Sequence, residues 1–348
     1  MDDRPRGGRR AALLLAVITP LIAELTLGNP PLSQIWLMLL WIPIYGAGTV
    51  LIRELVRRRR GGWPSVLLLG LAYGIVEEGL VLQALSSPTM YGVAGWAPRF
   101  LGLNTAYTEL NLPYHAVFSV ALPILLTDLA FPALRDRPYL KRTGLIVAGV
   151  VFVLGGLLLR FTVATSIDPG YQAPAAMLAG CVIAVVLLAV VALRVLAPAR
   201  SPAPAGTQAP GPWVTAGFGL LAGFGYLALL FPFGGAAQPA FTHGAWVAAP
   251  MLGAAVLATL TWWLVRRWTT GGGWTDRHAI CLAGGALVGH TAFGVLANAA
   301  TFIDKLELSA LGLLTVVLLA LLSRRTGTGS ITPPTGRHGR PAAEGSTR

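Results

Sequence analysis

Glu77 and Glu78 stand side by side in an apolar run, Glu24, Asp128, Arg160 and His290 each sit alone in others, and His115 lies near the start of another. An ionisable group inside hydrocarbon is costly, so each needs a partner or a purpose. A desolvated carboxylate is suited to serve as a base or proton carrier, and an imidazole can relay the proton. On an α-helix Glu77 shares its face with Gly70, Tyr73, Gly74, Val81 and Ala84. Glu78, about 100° away, shares Leu71, Ile75, Leu82 and Leu85. The narrower face makes Glu77 the interior carboxylate. The alternative role for either acid is to hold the bundle, by pairing with Arg160 or by hydrogen bonding across helices. His290 and Asn298, about 80° apart on one helix with Gly294 between them, are placed to line a common cavity. Glu54, beside Arg53 at a helix end, reads as an interfacial ion pair.

The elements that must position these groups follow from composition. Of 348 residues, 55% are apolar and 11% charged, against roughly 25% charged in a soluble domain, which excludes a soluble globule. Apolar stretches long enough to cross about 30 Å of hydrocarbon recur near residues 11–28, 35–56, 64–85, 113–134, 143–165, 175–197, 213–233, 246–265, 279–300 and 306–323. The expected architecture is an all-α polytopic transmembrane bundle of about ten spans. A basic tail (1–10) precedes the bundle (11–323), and a Gly, Pro, Thr and Arg-rich tail (324–348) with the composition of a disordered segment follows it.

Of the 26 Lys and Arg residues, all but Arg99, Arg160 and Lys305 fall in the tails, the even-to-odd loops and the helix ends beside them. Cytoplasmic loops hold such an excess, so both termini are expected in the cytoplasm, in a cell membrane. The net charge of +12 is thereby a matter of topology, and membrane lipids rather than nucleic acid are the expected partners. The first span, carrying Pro20 and Glu24 without a clear cleavage site, reads as uncleaved. Cys181 and Cys281 lie inside spans at different depths and form neither a disulfide nor a metal framework. Gly70 and Gly74, Gly219 and Gly223, and Gly285 and Gly289 repeat at the spacing that lets helices approach closely. No P-loop, zinc-type His-Glu-x-x-His, G-x-S-x-G or Rossmann glycine pattern is present, and nothing specifies a cofactor.

Counting about 1.5 Å per residue from the helix ends, Glu24, Glu77, Glu78, His115, Arg160 and His290 fall in the outer half of the membrane, with His115 at the mouth. Asp128 falls in the inner half. The pattern predicts an outward-facing polar cavity. The loop 86–112, rich in aromatics such as Met90's neighbour Tyr91, Trp96, Phe100 and Tyr107, is expected to fold over its mouth. His243 belongs to an outer loop, whereas His278 and His338 lie on the cytoplasmic side.

A Glu-Glu pair in one span, a His near the start of the next and another His on a late span resemble the CPBP intramembrane proteases, the Abi and CAAX-processing type. The resemblance implies that Glu77 or Glu78 activates water, that His115 and His290 assist, and that polar groups stabilise an oxyanion. It covers about a third of the chain and departs from the family pattern at Leu82, Asn111 and Gly294. The competing classes are a transporter or flippase, with Glu24, Glu77 and Asp128 carrying protons or binding a cationic group, and a non-catalytic membrane component.

Overall fold

The computed structural model describes residues 7–95, 97–196, 206–231 and 244–327. Trp96, His243 and His338 lie outside them, as do most of the C-terminal tail and the beginning of the N-terminal one. Ten helices among the described residues are long and apolar enough to cross a membrane: α1 (Gly8–Leu27), α2 (Leu32–Arg58), α3 (Trp63–Val81), α4 (Thr105–Ala130), α5 (Arg142–Ile167), α6 (Ala175–Leu196), α7 (Pro212–Leu230), α8 (Gly244–Thr270), α9 (Asp276–Ala297) and α10 (Phe302–Arg325). The one sheet among these residues is a short antiparallel hairpin, β1 (Arg99–Phe100) and β2 (Leu103–Asn104). The chain is an all-α bundle, as its hydropathy dictates.

Helices α1, α2, α3, α4 and α9 are the most buried, and they carry Glu24, the Glu77–Glu78 pair, His115 and His290. Helices α5, α6, α8 and α10 form an apolar periphery, exposing side chains such as Val153, Ile183, Val256 and Leu314. Glycines set the closest contacts. A Cβ on Gly70 would stand 2.6 Å from Ala116 Cα, and one on Gly74 would stand 3.3 Å from His115 Cβ. Gly219 of α7 and Gly285 of α9 likewise lie against the backbone carbonyls of Leu282 and Ala216. Close approach of this kind replaces the hydrophobic drive that lipid removes.

Helix α4 begins at Thr105, earlier than the apolar run from Pro113 predicts. Asn104 caps it by accepting from Tyr107 N at 2.9 Å, and Pro113 lies inside it. An internal proline leaves the carbonyl four residues earlier without its helical donor. Here the Tyr226 hydroxyl donates to that carbonyl, on Glu109. The same repair recurs further along α4: Pro123 frees the Ser119 carbonyl, which accepts from Thr49 Oγ1 at 2.9 Å. In a membrane such groups must find partners within the protein, and these two join α4 to α7 and to α2.

The segment between α3 and α4 is therefore shorter than expected, and it is folded. Arg99 donates to the carbonyls of Ser86 (3.0 Å), Ser87 (2.7 Å) and Gly102 (2.9 Å). Asp168, after α5, accepts from Ser87 Oγ and Thr89 Oγ1, both at 2.5 Å.

Candidate functional site

Three central helices contain a wide π-helical turn: Ile42–Gly46 in α2, Ile75–Val81 in α3 and His115–Ala121 in α4. Such turns frequently occur at functional sites. Here they hold Tyr45, the Glu77–Glu78 pair and His115. The turn in α3 is marked by the Leu82 N to Glu77 O bond of 2.7 Å, and the packing against α4 changes the reading of the two acids. Instead of one facing inward and the other away, both flank His115. Nδ1 stands 3.4 Å from Glu77 Oε2, and Nε2 stands 3.2 Å from Glu78 Oε1.

The surrounding hydroxyls fix this arrangement. Tyr107 donates to Glu78 Oε2 at 3.0 Å, and Ser119 Oγ lies 3.0 Å from His115 Nδ1. Tyr45 donates to Glu24 Oε1, so a third carboxyl, from the end of α1, joins the group. Glu24 and Glu77 share Glu78 and His115 as charged neighbours, and the Tyr45 and Tyr73 hydroxyls lie close to Glu77. Tyr73 lies one turn before Glu77 on α3, with its ring centroid 5.8 Å from that of His115. Both Tyr73 Oη and Glu77 Oε2 are buried and close no hydrogen bond of full geometry.

His115 is not at the helix mouth. Ten residues beyond Thr105, it lies about 15 Å along α4, and it is buried with Glu77 and Glu78. Together the three side chains form a buried polar cluster. Tyr107 covers it, and Tyr91 stacks on Tyr107 with ring centroids 6.4 Å apart.

His290 forms a neighbouring cluster. Its Nε2 lies 2.9 Å from the Tyr114 hydroxyl and its Nδ1 3.2 Å from Thr26 Oγ1. Its ring stacks on Phe118 at 4.4 Å. Tyr114, which precedes His115, contacts both imidazoles. Asn298 does not share this space: it donates to Leu27 O at 2.9 Å and lines a separate cleft with Gly28, Leu32 and Asp304.

Arg160 meets none of the three acids. It donates to Tyr171 O at 2.7 Å, to Gln172 Oε1 at 3.3 Å, and to Val81 and Leu82 carbonyls at the end of α3. Asp128 belongs to an ionic network at the opposite end of the bundle. It accepts from Arg53 Nε (2.9 Å), Arg57 (2.8 Å) and the Tyr139 hydroxyl (2.8 Å). Glu54 is fully buried and ion-paired, with Arg53 at 3.8 Å and Arg58 at 3.2 Å, and it accepts from Tyr139 N at 2.5 Å. Among the described residues no group of three or more His, Cys, Asp or Glu side chains is arranged to hold a metal ion.

Tyr45 and Tyr114 escaped sequence reasoning, and Tyr73 and Tyr107 were placed on the Glu77 face and in the covering loop without a polar role, because a tyrosine in an apolar run is ordinarily packing or interfacial. The recurrence of Tyr73 four residues before Glu77 was the available signal.

The fold and this cluster define a polytopic α-helical membrane protein with a buried acid–histidine centre. Residues 13–267 match the model of a family described as an uncharacterized membrane protein family, and the chain belongs to that family. The matched range contains Glu24, Glu77, Glu78 and His115, and ends before His290. No curated protein and no solved structure matches the chain.

Proposed function

We propose that the Glu77–His115–Glu78 cluster is the working centre of an intramembrane hydrolase acting on amide bonds of membrane-embedded peptides. The observation that carries this reading is Glu77 Oε2, a buried carboxylate oxygen 3.4 Å from an imidazole, near the Tyr45 and Tyr73 hydroxyls but closing no hydrogen bond of full geometry. Glu77 takes a proton from water, and the resulting hydroxide attacks the carbonyl carbon. His115, steadied by Glu78 through Nε2, protonates the departing nitrogen as the C–N bond breaks. The proton held by Glu77 then returns to His115. Glu78 and Tyr107 orient the imidazole, while Tyr114 links it to His290. This is the chemistry that the resemblance to CPBP proteases implies, with His290 in a supporting position.

The distribution of Lys and Arg supports an orientation in which the Arg53–Asp128 end faces the cytoplasm and Asp168 faces outward, with both termini cytoplasmic in a cell membrane.

Glu24 favours a second reading. A third carboxyl joined through Tyr45 extends the cluster into a chain of exchangeable protons, as in proton-coupled transporters. The test uses purified protein in liposomes containing membrane-inserting fluorogenic peptides and an internal pH dye. Cleavage abolished by Glu77→Gln and by His115→Gln supports hydrolysis. Proton movement without cleavage, lost in Glu24→Gln and Glu77→Gln alike, replaces it with transport. Cleavage that survives Glu77→Gln overturns the proposed role of that residue.

A further inference from the structure

The β1–β2 hairpin ends in two apolar side chains that no neighbour covers: Phe100 is 68% exposed and Leu101 79%. Leu101 also has φ +51°, followed by Gly102 at +83°. A glycine meets a left-handed backbone without penalty, whereas a branched, bulky residue does so rarely and at a cost. A strained conformation that presents an apolar side chain to the surroundings calls for something to receive it.

The position of the hairpin identifies the recipient. Gly102 packs on the first turn of α6, where a Cβ would stand 3.2 Å from Met177 Cε. Helix α6 is a peripheral span, exposing Val182, Ile183, Val186 and Leu187 along its length. The tip therefore stands beside the end of a lipid-facing helix, at the level where hydrocarbon meets headgroups. Aromatic and aliphatic side chains are favoured at that level.

The hairpin is tied to the cover of the acid–histidine cluster. Arg99 welds β1 to the Ser86 and Ser87 carbonyls. The same loop carries Tyr91, stacked on the Tyr107 that binds Glu78.

We propose that Phe100 and Leu101 insert into the interface of the bilayer, making the hairpin a lipid-anchored strap over the Glu77–His115–Glu78 cluster. The anchoring stands whichever chemistry the cluster performs.

The test places an environment-sensitive fluorophore on Phe100→Cys, with Cys181 and Cys281 changed to Ala, in the full chain reconstituted into phosphatidylcholine vesicles. Blue-shifted emission, quenched by lipids bearing a nitroxide near the headgroup and insensitive to aqueous iodide, is the expected result. Adding Leu101→Asn, which tolerates a left-handed backbone but removes the apolar side chain, reduces the nitroxide quenching. Leu101→Gly does the same without backbone strain, so a folding defect of one variant does not mask the outcome. Iodide quenching with no response to nitroxide lipid overturns the proposal by placing the tip in water. Concentration-dependent self-quenching between labelled copies overturns it by making a second chain the occupant.

Discussion

Replacing Asp128 with Asn removes one negative charge facing two guanidinium groups, one of which is completely enclosed. The Arg53 side chain is 1% exposed and lies 2.7 Å from Asp128 Oδ1. Arg57 and the Tyr139 hydroxyl each contact Asp128 at 2.8 Å. Hydrogen bonds to charged groups contribute about 1.5–3 kcal/mol each, but here they share one carboxylate and do not add. The bound that applies is the loss of one member of a buried pair, about 3–5 kcal/mol. Against a total stability of about 5–15 kcal/mol that loss is large, and the melting temperature should fall by about 10 °C. Thermal unfolding of the purified protein in detergent measures it. Arg53→Gln added to Asp128→Asn should recover part of the loss. The recovery should be incomplete, because Arg53 also binds the Leu134, Arg135 and Arg137 carbonyls. An unchanged melting temperature in Asp128→Asn, together with lost proton movement, would refute the reasoning and return Asp128 to the role of a proton carrier.

Glu78→Gln should destabilise the protein by about 1.5–3 kcal/mol by weakening charge-assisted bonds to His115 and Tyr107, whereas Glu77→Gln, at an oxygen that closes no hydrogen bond of full geometry, should cost less. Paired melting curves decide this, and Arg160→Gln should rescue neither variant, since Arg160 binds carbonyls. Gly70→Ala should cost about 1–3 kcal/mol by overpacking, because the new methyl meets the Ala116 backbone at 2.6 Å. It should also weaken whatever activity depends on His115, as read by stability and turnover together. For topology, cysteines at Ser166 and Gly272 should react with an impermeant maleimide from opposite sides of the membrane. Gly272 has open space around it, whereas a side chain at Gly206 would collide with Gly271.

Chain-local chemistry made the ten spans legible, because a run of apolar residues must leave water whatever lies next to it. The same logic exposed the residues of interest, since Glu24, Glu77, Glu78, His115 and His290 are conspicuous where charge is expensive. The glycine pairs likewise announced close helix contacts before their partners were known. Tertiary structure decided which polar groups meet. An ideal helix separates Glu77 from Glu78 by about 100°, and packing of α3 against α4 sets His115 between them, within 3.4 Å of one and 3.2 Å of the other. The start of α4 was hidden because Thr105 to Asn111 has little apolar character, and Pro113 seemed to mark an entrance. Its loss is repaired by Tyr226, more than a hundred residues away in sequence. Arg160 and Asp128 were equally plausible partners for several groups until folding fixed their distances: one caps the end of α3, and the other locks Arg53 and Arg57. Hydropathy is a property of each segment alone, whereas pairing energies at a few ångströms depend on which segments become neighbours.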